Sequence, residues 1–244
     1  MKHIDFNCDV GEGVENEHLL MQYISSCNIA CGGHFGDEKS IDKTIQLAID
    51  HHVKIGAHPS FPDKENFGRK MMNISDEDLQ KSIVVQLDFF LERLHRKNVK
   101  LHHIKAHGAL YNLIAKDKNV ATVFVNAIKK YVENAYLYVP YNSEIEKVAI
   151  ENNIKIKYEA FADRNYNNDL SLVSRTESNA IISNPKKVYE HVLNMIQNNC
   201  VKSISNSLIK IKADTFCIHG DNQNALEILQ EVTALLKIQN IQVV

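Results

Sequence analysis

The sequence predicts an α/β protein of one domain over residues 1–244, a TIM-like (β/α) barrel with seven strands. Three observations carry that expectation. Short β-rich runs alternate with stretches of helical apolar periodicity along the whole chain. No Gly-rich or Pro-rich linker divides them, and no Rossmann or P-loop pattern follows the first run. A polar cluster stands at the end of every β-rich run, where parallel α/β folds place their ligand sites. An open doubly wound sheet is the alternative that the same alternation allows.

The elements follow in order. HIDFNC (3–8) and SCNIAC (26–31) are the first two strands. In 40–52, Ile41, Ile45, Ala48 and Ile49 share one helix face. VKIGA (53–57) is the third strand, and 76–97 is a long helix with Leu79, Ile83, Gln86, Phe90 and Leu94 on its largely apolar side. Ser75 is placed to cap it. LHHIKA (101–106) and AYLYVP (135–140) come next, and Ser143 with Glu146 forms a capping box for the following helix. After IKIKYEA (154–160), the stretch 161–179 is polar and Asn-rich, a loop length that is functional or disordered in compact domains. Asn184-Pro185 has the order of N-cap then first helical residue. DTFCIH (214–219) is the seventh strand, and 223–237 is a final amphipathic helix.

Composition narrows the function. With 24% charged residues, 44% hydrophobic residues and a formal net charge of -2, nothing favours nucleic acid or an anionic membrane as partner. Lys129-Lys130 and Lys186-Lys187 read as solvated helix faces. No apolar run approaches the roughly 18 residues of a membrane span, and MKHIDFNCDVGEG carries acids where a signal peptide has its apolar core. The expected location is cytoplasmic. Five cysteines without a C-x-x-C pair read as reduced, mostly buried thiols rather than a structural zinc knot.

The polar groups mark a site. Asn7, Asp9 and Glu12 follow the first strand, Asn28, His34 and Asp37 the second, and His58, Asp63 and Arg69 the third. The fourth carries His103, Lys105 and His107, which alternation places on one face. Asn142 follows the fifth, Glu159, Asp163 and Arg164 the sixth, and His219 and Asp221 the seventh. Gly11, Gly13, Gly32, Gly33, Gly36, Gly108 and Gly220 suit tight turns around one pocket. Strand-end placement favours a site role for His34, His58, His107 and His219. His3, His18, His51, His52, His95 and His191 read as structural or surface residues. His102 and His103 stay open, and Asp63 and Asp169 suit turns as well as a site. Three imidazoles with Asp9 leave a metal as an alternative, but no protein-bound metal is assigned.

The segments NCDVGEG (7–13), NIACGGHFGD (28–37), IGAHPSFPD with FGR (55–69), KAHGALYN (105–112), EAFADRNY (159–166), LVSR (172–175) and HGD (219–221) resemble the LamB/YcsF family in order and spacing, over residues 3–237. The resemblance implies a barrel akin to those of glycoside hydrolases and polysaccharide deacetylases. It also implies ATP-dependent opening of the 5-oxoproline lactam to L-glutamate, together with two partner subunits, B and C. The chain departs from the family pattern at Gly33 (usually aromatic), Ala106 (usually proline), Leu170 (usually Asp-Gly) and Asn222-Gln223-Asn224 (usually Thr-Pro-Gly). No departure removes an ionisable group of the motifs.

A mechanism follows as an expectation. Lacking a P-loop, the chain leaves ATP and its Mg2+ to the partner subunits, which phosphorylate the lactam oxygen. The barrel then adds water to the activated ring, with Asp9 or His58 as general base. Lys105 and His107 stabilise the developing negative charge. Arg164 or Arg175 holds the substrate carboxylate. Asn7, Glu12, Asn28, His34, Arg69, Glu159, Asp163, His219 and Asp221 complete the substrate-binding set. A buried Lys105 needs a carboxylate beside it, from Asp9 or Glu159. The rivals are a stand-alone metal-dependent hydrolase or deacetylase of a sugar or amide, and a non-catalytic subunit that presents the substrate.

Overall fold

Seven parallel strands close on themselves in the computed structural model, which describes residues 2–222 and 224–244. In chain order the first half comprises β1 (Lys2–Val10), α1 (Glu17–Leu20), β2 (Ser26–Ala30), α2 (Glu38–Asp50), β3 (Lys54–His58), α3 (Asp76–Arg96), β4 (His103–Ile104), α4 (Gly108–Ile114) and α5 (Lys118–Ile128). Then come β5 (Tyr136–Pro140), α6 (Glu144–Glu151), β6 (Ile156–Phe161), α7 (Pro185–Asn198), β7 (Cys200–Lys202), β8 (Leu208–Lys210), β9 (Thr215–His219), α8 (Ala225–Ile238) and β10 (Ile241–Val243). Strands β1 to β6 pair in sequence, and β9 pairs with both β6 and β1 to close the ring. The open-sheet alternative is therefore excluded.

Two strand features escaped the sequence, as did α1, α4 and α5. β10 adds a parallel strand beside the start of β1, with Lys2 opposite Ile241. β7 and β8 form a separate antiparallel hairpin. The fourth strand is shorter than expected, with only His103 and Ile104 in the ladder. Its chain nevertheless stays extended, because Lys105 N–H donates to Ala57 O (3.0 Å) and His107 N–H to Pro59 O (2.9 Å).

Both faces of the strands are buried, but differently. In β1, Ile4, Phe6, Cys8 and Val10 join Ile41, Leu229 and Val232 in the apolar layer between strands and helices. The alternating Asp5, Asn7 and Asp9 are also buried, and they fill the barrel interior. TIM barrels usually fill that space with branched apolar residues. Here it is polar.

Caps fix the helix starts. Ser75 accepts the Asp78 N–H, and Asn184 with Pro185 caps α7 as the dipeptide predicts. Ser143 accepts the Glu146 N–H, but the Glu146 carboxylate takes the N–H of Asn142 rather than that of Ser143. Asn142, at φ 61°, turns the chain there. The reciprocal capping box forms instead at Asp37 and Ser40. The helix expected over 223–237 is α8. Gln223, with the middle of the Asn222-Gln223-Asn224 departure, lies outside the described residues. No helix among the described residues is long and apolar enough to cross a membrane.

Gln86 explains one departure. Its side chain is buried on the core face of α3, donates to Ser60 O (2.8 Å) and accepts from Ser60 N–H (3.0 Å). A Cβ on Gly33 would overlap both Gln86 Oε1 and Ser60 Oγ. The Gln86–Ser60 clamp fills the space that any side chain at position 33 would need. Gly33→Ala is expected to break the clamp and destabilise the chain by about 1–3 kcal/mol, read from the denaturant midpoint. An unchanged midpoint would show that Gln86 simply swings aside.

Candidate functional site

The interior polar groups form layers held by one hydrogen-bonded chain. Asp5 Oδ1 accepts from Ser26 Oγ (2.8 Å) and Thr215 Oγ1 (2.6 Å). With its proton so used, the Thr215 hydroxyl accepts from Asn7 Nδ2 (2.8 Å), which fixes the Asn7 amide. Asn7 Oδ1 then accepts from Asn28 Nδ2 (2.8 Å), which also donates to Asp9 Oδ1 (2.7 Å). Asn28 Oδ1 is left to accept from His103 Nε2 (2.6 Å), so His103 carries its proton there. The His103 ring stacks on Tyr138, and burial pulls its pKa well below the usual value. Gly56 makes room for it, since a Cβ there would overlap the imidazole.

Above this layer stands Lys105. Its ammonium is 2.9 Å from Asp9 Oδ1, 2.9 Å from Glu159 Oε1 and 3.1 Å from Cys217 Sγ. Both expected carboxylates are present. Burial opposes the charge, but Asp9 first, then Cys217 and Glu159, outweigh it and hold the Lys105 pKa well above its usual value. For Asp9, burial is likewise outweighed by His58 and Lys105, which keep the carboxyl well below the usual range.

Three imidazoles meet beside Asp9. His58 Nε2 is 3.4 Å from Asp9 Oδ2 and 3.0 Å from His107 Nδ1. His58 Nδ1 contacts Lys105 O at 2.8 Å, and His107 Nε2 contacts Phe67 O at 2.9 Å. The His34 ring stacks on His107 at 3.7 Å, and its Nε2 lies 2.8 Å from Glu12 Oε1. Burial, then Asp9, raises the Glu12 carboxyl well above its usual range. Burial, then His58, lowers His34 to about 2, so that ring is neutral.

The barrel mouth is framed by loops. Arg69 and Arg175, from different loops, both donate to Asp221 Oδ2 (2.5 and 3.2 Å). His219 Nδ1 pairs with Asp163 Oδ1 at 2.9 Å. Arg164 donates to Ala180 O and Val173 O, anchoring the 161–179 loop, whose Leu172–Thr176 segment forms one wall.

The resulting cleft, about 320 Å³, is lined by Asp9, Glu12, His58, Arg69, Lys105, His107, Arg164, Arg175, His219 and Asp221 from the expected set. Asn7, Asn28, His34 and Asp163 do not line it. They sit behind the wall and orient residues that do, because alternation sets Asn7 one layer below Asp9. Glu159 is reached only through Lys105 on this side, and it lines an adjoining pocket. Asp63 and Asp169 are turn formers, accepting from Asn66 and Ser171. Thr215 and Cys217 were missed, although they alternate with His219 along β9 and share its inward face. Of the glycines, 11, 13, 32, 36 and 108 have positive φ, but 33 and 220 do not, and Gly68 (φ 62°) joins them. All five cysteines are free.

Comparison with known proteins gives a consistent result. The LamB/YcsF family matches residues 4–244. The chain is 36% identical over 248 residues to the A subunit of 5-oxoprolinase from Pyrococcus abyssi, covering 99% of this chain and 96% of that one. It is 39% identical over 250 residues to the A subunit of 5-oxoprolinase from Campylobacter jejuni subsp. doylei, covering 100% and 97%. The crystal structure of a lactam utilization protein from Thermus thermophilus superposes with a TM-score of 0.91 at 31% identity, covering 100% of this chain and 99% of that one.

Proposed function

The chain belongs to the LamB/YcsF family, and we propose from that membership and from its cleft that it is the A subunit of a 5-oxoprolinase, a hydrolase of a cyclic amide. The observation that carries the chemical part is Lys105. An ammonium held by two buried carboxylates lines the cleft beside His58 and His107. A fixed cation so placed stabilises the negative charge of the phosphorylated lactam oxygen and of the departing phosphate, without reorganising during the step.

The water's proton passes to the Asp9–His58 pair. The Lys105 carbonyl can only accept, so His58 Nδ1 carries a proton and Nε2 is the ring nitrogen left to exchange one with the water, with Asp9 Oδ2 beside it. Asp9 itself already accepts from Asn28 and Lys105 on its other oxygen. Arg69 and Arg175 at the mouth are planar donors suited to the substrate carboxylate, with Asp221 occupying them meanwhile. Coupling to ATP belongs to this reading: phosphorylation of the lactam oxygen releases ADP and activates the ring carbon for water. The ring nitrogen then leaves with a proton as the carbon–nitrogen bond breaks, and a second water hydrolyses the resulting acyl phosphate to glutamate and phosphate. With no phosphate-binding pattern in this sequence, the nucleotide and its Mg2+ are assigned to two partner subunits, B and C.

Purified chain, alone and with the two partner proteins, should be assayed for glutamate and ADP formed from 5-oxoproline and ATP. Turnover is expected only from the complete mixture. Glutamate release by the chain alone would remove the partner requirement. A complete mixture that hydrolyses no 5-oxoproline would overturn the function.

A further inference from the structure

Two backbone carbonyls fix the protons of two histidines. A carbonyl oxygen only accepts, so the 2.8 Å contact with Lys105 O puts a proton on His58 Nδ1. The 2.9 Å contact with Phe67 O puts one on His107 Nε2. In neutral rings the remaining nitrogens, His58 Nε2 and His107 Nδ1, are both lone pairs. They face each other at 3.0 Å. Two lone pairs at that distance repel unless something positive lies between or beside them.

The neighbouring atoms show what suits. Asp9 Oδ2 is 3.4 Å from His58 Nε2, and Glu12 Oε1 is 3.4 Å from His107 Nδ1. The ligating atoms of Asp9, His58 and His107 all lie within 4.8 Å of one another. Around an ion with bonds of about 2.0–2.1 Å, adjacent ligand atoms stand roughly 3.0–3.4 Å apart, the spacing of the His58–His107 and His58–Asp9 pairs, while the wider Asp9–His107 pair must draw together on the ion. The outer contacts match as well. Each imidazole ties its far N–H to a carbonyl, and Asp9 Oδ1 is held by Asn28 and Lys105, leaving Oδ2 free. Metal ligands are oriented by partners of this kind. A proton on His58 Nε2 would also answer the His58–His107 contact and pair that ring with Asp9. It would give Glu12, 3.4 Å from His107 Nδ1, no part, and metal titration distinguishes the two.

We propose that Asp9, His58 and His107, with Glu12 adjoining, form a binding site for one divalent transition-metal ion of the zinc class. Two imidazole nitrogens favour such an ion over Mg2+ or Ca2+. The site deepens the hydrolase reading and rests on it for one point, that the ion's task is to polarise the attacking water. With the ion bound, His58 Nε2 and Asp9 Oδ2 are ligands, and the ion takes over the water activation that the free His58–Asp9 pair performs without it. Binding itself stands on the geometry alone.

The full chain, stripped with a chelator, should be titrated with Co2+ by visible absorption and with Zn2+ by calorimetry. One equivalent per chain is expected, with a cobalt spectrum showing nitrogen ligation and a melting temperature that rises with added Zn2+. His58→Gln and His107→Asn should each weaken binding by more than about 100-fold, since loss of an outer partner alone costs about 10–100-fold. His95→Gln, on the exposed side of α3, should leave it unchanged. No stoichiometric binding of either ion at millimolar concentration overturns the proposal, as does undiminished binding in both folded variants. If neither variant folds, an all-oxygen cobalt spectrum in the unaltered chain overturns it. A complex that turns over 5-oxoproline equally well with and without the ion would remove the ion's part in water activation and leave the hydrolase reading standing. Stoichiometric ion binding without lactam turnover would do the reverse.

Discussion

Lys105→Met is expected to lower turnover of the assembled complex by about 10²–10³-fold, the loss seen when one donor to a developing oxyanion is removed. The same change should destabilise the chain by about 3–5 kcal/mol. The methionine keeps much of the stem's packing, including that near Phe161, but leaves Asp9 and Glu159 without their shared cation. Stability and chemistry are then separable through a second change. In Lys105→Met/Glu159→Gln one unpaired carboxylate is gone, so part of the lost stability should return. Turnover should not. Thermal melts of the chain and steady-state rates of the complex read the two quantities. Recovery of turnover along with stability would make Lys105 a purely structural residue.

Asp9→Asn is expected to cut turnover by about 10²–10⁴-fold, the range for losing acid–base assistance, with a smaller loss of stability than Lys105→Met. The isosteric amide can keep its oxygen toward Asn28 Nδ2 and Lys105, and Glu159 still faces the ammonium. Its NH2 then points at His58 Nε2, 3.4 Å away in the native protein, and donates to the lone pair that must receive the water's proton. The base is occupied, although the site is nearly intact. A complex with Asp9→Asn that retains near-normal kcat would remove Asp9 and His58 from the proton path.

Much of this site was legible because alternation is a strong signal. Asn7 and Asp9, or His103, Lys105 and His107, share a face at any register of a β-strand. Placing them at strand ends then located the cleft. What alternation does not contain is depth along the barrel axis, which is why Asn7 and Asn28 fell among substrate-binding residues and not among the supports beneath. Nor does it contain tautomers. The choice between Asp9 and His58 depends on the Lys105 carbonyl, a backbone atom from another strand. The Gly33 departure depends on Gln86, far along the chain on α3. Short elements gave no period to read. β10 has three residues, and α5, KNVATVFVNAI, is rich in β-branched residues that dilute its helical signal.

A closed ring of parallel strands can be misassembled by sliding one strand a single residue along its neighbours. In β1 that slip would turn Ile4, Phe6, Cys8 and Val10 inward and set Asp5, Asn7 and Asp9 against the apolar helices. A barrel with apolar residues on both faces would tolerate the error, since a slipped strand would still meet hydrocarbon on each side. Here every bond from Thr215 through Asn7 and Asn28 to His103 would be broken, and buried carboxylates would face Leu229 and Val232. The groups that serve the chemistry therefore also select the stagger of the strands. Substitutions that make the interior apolar are expected to yield several competing barrels before they yield a more stable one.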